Sequence, residues 1–279
     1  MSQSQNLVDH SYNRFTAKMA LDLAAPHTWP ASIVPVAIAV ALTIATGYQV
    51  SATLTVALLI ICILMQSSVN TFNDYYDYVK GTDSSDDDVD PTDAVLIYNN
   101  VNPTCALVFA IGLLVSAFIL GGYVIYHAGL IPLAIGAIGA VFVVLYSAGK
   151  TPISYLPLGE AVSGIVMGGL IPLACYQVLT GLLTPLAVLW AIPEILGIGL
   201  IMFTNNTCDI EKDALAHRRT LSVLLDREKA RKLYHAVMWL WLVAIILIVG
   251  IFFTQGLIVL PFLLLSTYPL LKALRNNPL

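Results

Sequence analysis

Ser51-Ala-Thr-Leu-Thr-Val-Ala-Leu-Leu-Ile60-Ile-Cys-Ile-Leu-Met-Gln-Ser-Ser-Val-Asn70-Thr-Phe-Asn73-Asp74-Tyr-Tyr-Asp77-Tyr-Val-Lys80-Gly81-Thr82-Asp83 decides the fold. Residues 51–69 carry no charge, and as a helix they span about 28 Å, enough to cross the hydrocarbon layer of a bilayer. Polar residues then break out abruptly. If the helix runs on, Asn70, Asn73 or Asp74, and Asp77 share one stripe at i, i+3/i+4 and i+7. The same sequence of events recurs at Asn205-Asn206-Thr-Cys-Asp209-Ile-Glu211-Lys212-Asp213, where Asn205, Asp209 and Asp213 follow at i, i+4 and i+8. Two carboxylates held about 6 Å apart repel by about 3 kcal/mol at an effective dielectric of about 20. Helix ends that collect several carboxylates need a cation.

Composition agrees with the opening run. Of 279 residues, 58% are apolar and 11% charged, which excludes an ordinary soluble domain and predicts an all-α, polytopic transmembrane helical bundle. Apolar stretches of crossing length fall at 31–47, 51–69, 105–126, 130–149, 160–179, 185–204, 235–253 and 256–272, about eight spans. Residues 1–30 read as a cytoplasmic segment, with 8–26 a candidate interfacial helix. Residues 31–279 read as one domain with cytoplasmic loops at 70–104 and 205–234. With eight crossings, all 13 Lys and Arg fall on the side that holds both termini, so that side is expected to be cytoplasmic. No cleavable signal or lipidation pattern is present. Cys62, Cys105, Cys175 and Cys208 read as small hydrophobes of the bundle.

Both polar outbreaks therefore lie on one face. Carboxylate and amide oxygens without converging His or Cys are hard ligands that suit Mg²⁺, and two such clusters suggest a pair of ions clamping a diphosphate. Lys150, Arg218 and Arg219 supply positive charge for that anion. The apolar body predicts a long hydrocarbon as the rest of the substrate. Loss of diphosphate from an allylic prenyl chain leaves a carbocation, which the π faces of Tyr75, Tyr76, Tyr146 or Tyr155 stabilise. Either acidic cluster alone has a solvated loop as its alternative, with the functional reading the stronger of the two. The pair, on one face at helical spacing, reads as a site, because polar groups beside a membrane are costly. Asp86-Asp87-Asp88-Val89-Asp90 reads as a solvated connection, and a lid over bound diphosphate is the alternative. Glu194, mid-span beside Pro193, is either functional or a neutral, hydrogen-bonded core carboxyl.

Asn73-Asp74-Tyr-Tyr-Asp77-Tyr-Val-Lys-Gly81-Thr82-Asp83 and Asn205-Asn206-Thr-Cys-Asp209-Ile-Glu-Lys-Asp213 resemble the two signature motifs of the UbiA superfamily of intramembrane prenyltransferases. Tyr146-Ser-Ala-Gly149-Lys150-Thr-Pro152-Ile-Ser-Tyr155-Leu-Pro-Leu-Gly159-Glu160 and Arg218-Arg219-Thr220-Leu221 are similar to the branch that prenylates 1,4-dihydroxy-2-naphthoate for menaquinone. The resemblance implies nine spans as the family norm and transfer from a polyprenyl diphosphate to an aromatic ring at the cytoplasmic face of the cell membrane, with no nucleic-acid partner. It implies Asn73, Asp77 and Asp83 on one Mg²⁺, and Asp209 and Asp213, with Asn205, on the other. Lys150 and Arg218 or Arg219 would hold diphosphate, with Asn70, Lys80 and Tyr155 as further substrate contacts. Asp77, Asp209, Lys150 and Tyr146 are the expected catalytic set. Ala25 and Cys208 stand where that branch usually has arginine, and His217 where it has glycine. The alternatives are another aromatic acceptor, or a transporter with acidic gates. A transporter would place its polar groups at mid-bilayer, and here only Glu194 lies there.

Overall fold

A computed structural model of the chain describes residues 12–82 and 94–276. Asp83, the Asp86–Asp90 run and the first part of the predicted interfacial helix lie outside the described residues. Among the described residues the secondary structure is helical, apart from one isolated bridge between Asn13 and Val101.

The short helix α1 (Ala17–Ala24) begins where the Thr16 hydroxyl accepts from Met19 N–H. It does not stand apart from the bundle. Leu23 is buried among Tyr75, Tyr78, Val95, Leu96 and Val101, and Thr71 and Asn70 donate to the carbonyls of Leu23 and Ala24. A left-handed Ala25 (φ 47°) then turns the chain, with a bend of 54°, into α2 (Pro30–Ala45).

Helix α3 (Ala52–Lys80) contains the whole opening stretch in one unbroken rod. Its end is set by Gly81 at φ 68°, whose N–H returns to the carbonyls of Asp77 and Tyr78. Helix α4 (Val95–Tyr98) follows, and the buried Asp74 accepts from its Val95 and Leu96 amides at 2.9 and 3.4 Å. Asp74 is thus a structural cap. Helices α5 (Pro103–Ala128) and α6 (Ile131–Ser147) pack along α3.

The next span, Gly159–Thr180, is composite: α7 (Gly159–Ser163), a π-helical stretch Gly164–Leu170, and α8 (Ile171–Thr180). Its Gly164-Ile-Val-Met-Gly168 spacing lets the neighbouring helix approach closely. A Cβ built on Gly168 would lie 2.6 Å from Ile195 Cα, and one on Gly164 2.5 Å from Ile195 O. That neighbour is the pair α9 (Pro185–Trp190) and α10 (Ile192–Cys208), interrupted at Ala191 before Pro193. Helix α11 (Ile210–Leu215) leads to α12 (Leu221–Phe252), kinked at Asp226, and to α13 (Leu260–Asn276).

Every one of the eight apolar stretches lies on helix, but they are unequal. Four helices are by themselves long and apolar enough to cross a membrane, or five crossings if the bent pair α1–α2 counts as one. The others are shorter: α6 and α13 have 17 residues each, and α9 and α10 are divided. Glu194 lies in the first turn of α10, partly buried.

Candidate active site at the ends of two helices

The end of α3 and the end of α10 meet across one cavity of about 840 Å³. Its mouth is lined by Asn70, Asn73, Asp77, Asn205, Asp209 and Arg218, and its interior by apolar side chains such as Met65, Phe118, Phe142, Val166 and Met202.

A guanidinium ties the two motifs together. Arg218 donates from Nη2 to Asp77 Oδ1 at 2.5 Å and from Nη1 to Asp213 Oδ1 at 3.5 Å. Its side chain is 14% exposed, those of Asp77 and Asp213 9% and 3%. Two carboxylates that share one guanidinium fork lie within roughly 8 Å of each other. Burial pulls the Arg218 pKa down, but Asp77, by charge and hydrogen bond, and then Asp213 and Tyr155 carry it above its ordinary value. Burial, helped by the Asp209 charge, pushes Asp213 up to about 6 against the pull of Arg218, Thr220 and Lys212.

A belt of hydrogen bonds extends from this tie. Asn73 Nδ2 donates to Asp77 Oδ2 at 3.1 Å, and the Ser147 hydroxyl donates to Asn73 Oδ1 at 2.9 Å. Lys80 donates to the Ser147 carbonyl at 2.7 Å and sits between the rings of Tyr76 and Tyr155 at 5.3 and 4.8 Å. Tyr155 also faces the Arg218 guanidinium at 4.9 Å. On the other side, Thr220 donates to Asp213 and caps α12 through Val223 N–H.

The second motif is not one continuous helix. Helix α10 stops at Cys208, Asp209 adopts φ −97° and ψ 15°, and α11 starts at Ile210. The i→i+4 bonds from Asp209 N to Asn205 O and from Asp213 N to Asp209 O persist through the kink, so the three residues remain on one side. Both motifs sit at helix C-termini, where the backbone carries roughly half a negative charge. Carboxylates added there deepen the demand for a cation, and the Arg218 guanidinium occupies the position between them. The donor set fits Mg²⁺: Asn73, Asp77, Asn205 and Asp209 offer only oxygen to the mouth as ligands. Among the described residues no three His, Cys, Asp or Glu side chains already converge as a metal cage.

The expected site residues divide clearly. Asn70, Asn73, Asp77, Tyr146, Asn205, Asp209 and Arg218 line the cavity, and Asp213 reaches it through Arg218. Lys80 and Tyr155 stand just behind the mouth. Lys150 and Arg219 are exposed and off the cavity wall, Arg219 contributing its N–H to the Tyr155 carbonyl. Of the four tyrosines expected to face a cation, only Tyr146 lines the cavity; Tyr75 is packed into the cluster around α1. Asn70 also has a structural duty, donating to the Thr28 hydroxyl at 2.7 Å. Two features escaped the sequence reading. Lys212 lines the cavity, as its place three residues after Asp209 on a helix would have indicated. Glu160, buried at the start of α7, accepts from Asn206 Nδ2 at 2.7 Å.

The profile of the UbiA prenyltransferase family matches residues 32–277. The chain belongs to the UbiA prenyltransferase family. Its relatives include the 1,4-dihydroxy-2-naphthoate octaprenyltransferase of Bacillus subtilis, 32% identical over 81% of this chain and 72% of that protein. UbiA prenyltransferase domain-containing protein 1 of Danio rerio is 29% identical over 80% of this chain and 68% of its own length. A UbiA homolog from Archaeoglobus fulgidus, solved with GPP and Mg²⁺, shares the fold with a TM-score of 0.65 at 16% identity, covering 82% of this chain and 77% of that one. The same homolog with Cd²⁺ aligns at 0.66 over 93% and 91%. This chain is therefore a membrane prenyltransferase, and the transporter alternative falls.

Proposed function

We propose that the protein transfers a prenyl chain from a polyprenyl diphosphate to an aromatic quinone precursor such as 1,4-dihydroxy-2-naphthoate, using two Mg²⁺ ions, in menaquinone-type biosynthesis at the cytoplasmic face of the cell membrane. The observation that carries this is Arg218 held between Asp77 and Asp213, because it puts both acidic helix ends on one cavity mouth. Asn73 and Asp77, with Asp83, would hold one ion; Asn205, Asp209 and Asp213 would hold the other. Magnesium, when bound, supplies the positive charge that a departing diphosphate requires. Arg218 turns from its carboxylates toward the diphosphate and adds charge-assisted hydrogen bonds there. Lys212, on the same wall, adds a second cation. The apolar interior excludes water from the prenyl cation, and the Tyr146 ring offers it a π face. The B. subtilis relative supports the naphthoate acceptor, and the archaeal structures with GPP and DMAPP support the donor class.

A second reading, transfer to a different phenolic acceptor, is favoured by Ala25 and Cys208. Both line the cavity, and both stand where the resembling branch has arginine. The test is incubation of purified protein with Mg²⁺, prenyl diphosphates and a panel of aromatic acids, with products identified by mass. A prenylated, decarboxylated naphthoquinol supports the first reading, and a product from another acid alone supports the second. Diphosphate release without any prenylated aromatic refutes both.

A further inference from the structure

Glu160 is a buried carboxyl, 7% exposed, that bonds the cavity-lining Asn206 without lining the cavity itself. One oxygen, Oε1, accepts from Asn206 Nδ2; the other, Oε2, is inaccessible and has no hydrogen-bond partner. Leaving a buried charged oxygen unsatisfied is costly, and such groups persist where they serve a purpose. Here the purpose follows from what a carboxylate does to an amide. A carboxylate accepts and does not donate, so it engages an N–H of Asn206, fixes which way the amide is turned, and leaves Oδ1 free of Glu160.

Asn206 is one residue on from Asn205, about 100° round the helix from the acidic stripe. Asn206 shares the cavity wall with Tyr146, Ser154 and Ser163, and its partner Glu160 lies close enough to Tyr146 to act on it electrostatically, with the Tyr146 hydroxyl next to Ser163. A neutral polar patch thus lies next to the charged mouth. It offers poor ligation to a diphosphate, which needs cations, and good recognition to a hydroxylated ring.

Resting on the prenyltransferase reading above, we infer that Glu160 is a positioning residue that locks Asn206 with its carbonyl oxygen toward the cavity, where Oδ1 accepts a hydrogen bond from a phenolic hydroxyl of the aromatic acceptor. The Glu160–Asn206 pair then selects acceptors that carry a hydroxyl donor, and leaves binding of the prenyl diphosphate alone. A site built around a hydroxyl rejects the analogue lacking it strongly, because its own buried polar group is left unpaired.

The test compares dihydroxynaphthoate with its O-methyl ethers as acceptors, using wild type, Asn206→Ala, Glu160→Met and Glu160→Gln. Wild type should prefer the free hydroxyl by about tenfold or more in kcat/KM, and Asn206→Ala should reduce that preference to about threefold or less. Glu160→Met should raise the acceptor KM about tenfold, while Glu160→Gln, which keeps an accepting oxygen, should return most of it. The KM for prenyl diphosphate should stay within about twofold in all three variants, which also reports that they fold. A hydroxyl preference that survives in Asn206→Ala, or variants that raise both KM values alike, would overturn the inference. If wild type ionises prenyl diphosphate but prenylates neither ring, the aromatic-acceptor reading fails and this inference falls with it.

Discussion

Arg218 is the residue on which the site turns. Removing it would take a guanidinium away from two buried carboxylates, Asp77 and Asp213, a loss of about 3–5 kcal/mol when one partner of a buried pair is deleted. Arg218→Ala is therefore expected to lower thermal stability in detergent without metal, and Mg²⁺ with diphosphate should return much of it; a melting temperature equal to wild type would contradict the pairing. Asp213 gives a pH signature. Its folded pKa of about 6 lies above the ordinary aspartate value, so its contribution to stability is present below pH ~3.8 and lost as pH rises through ~6. Mg²⁺ binding needs the charged form. Stabilisation by Mg²⁺ should accordingly grow between pH 5 and 7, and Asp213→Asn should flatten that rise in a thermal-shift titration. The sequence made the acidic residues legible because charge beside an apolar run is costly wherever it falls. It did not rank the cations. Lys150, Lys212, Arg218 and Arg219 are alike as letters, and only the turn at His217–Arg219 decides that Arg218 points inward while Arg219 points out.

Among the elements, the decisive ones end rather than cross. Helix α3 ends on Gly81 in a left-handed conformation, which fixes where Asp77 stops. Gly81→Val should cost about 1–2 kcal/mol and loosen the first motif. The opposite change is available at His217, which has φ 57° and occupies the position where the resembling branch has glycine. His217→Gly should relieve about 1 kcal/mol of strain, read as a higher melting temperature with Mg²⁺ dependence unchanged. A stricter test of packing is Gly168→Ala. Its Cβ would strike the Ile195 backbone, which α10 can avoid only by moving away and carrying Asn205 and Asp209 with it. Activity should fall with stability, whereas an active, fully stable variant would contradict the close approach. Helix existence was legible at all eight stretches from hydrophobicity alone. The π-helical stretch 164–170 was not, since it lies where Gly164 and Gly168 meet the Ile195 backbone of another helix, a contact that hydrophobicity does not announce.

For the whole molecule, the asymmetry of charge carries the topology we propose. All 13 Lys and Arg fall in the ends and loops that eight crossings would place on one side, which the positive-inside rule assigns to the cytoplasm. A membrane-impermeant thiol reagent applied outside intact cells should label Gly129→Cys and Gly181→Cys and spare Lys150→Cys; the reverse pattern would invert the orientation. The family was legible because two acidic motifs, each closing an apolar run, stand out against so hydrophobic a chain. The acceptor was less so, because its recognition falls to neutral side chains such as Asn206 and to positions like Ala25 and Cys208, where an expected charge is absent. The most direct measurement is a structure of the protein with Mn²⁺ in place of Mg²⁺ and an unreactive prenyl thiodiphosphate, with the metal located by its anomalous scattering. The account predicts metal peaks against Asp77 and against Asp209, with the diphosphate between them and Arg218 turned onto it. Metal bound elsewhere, or a diphosphate held away from either aspartate, would contradict it.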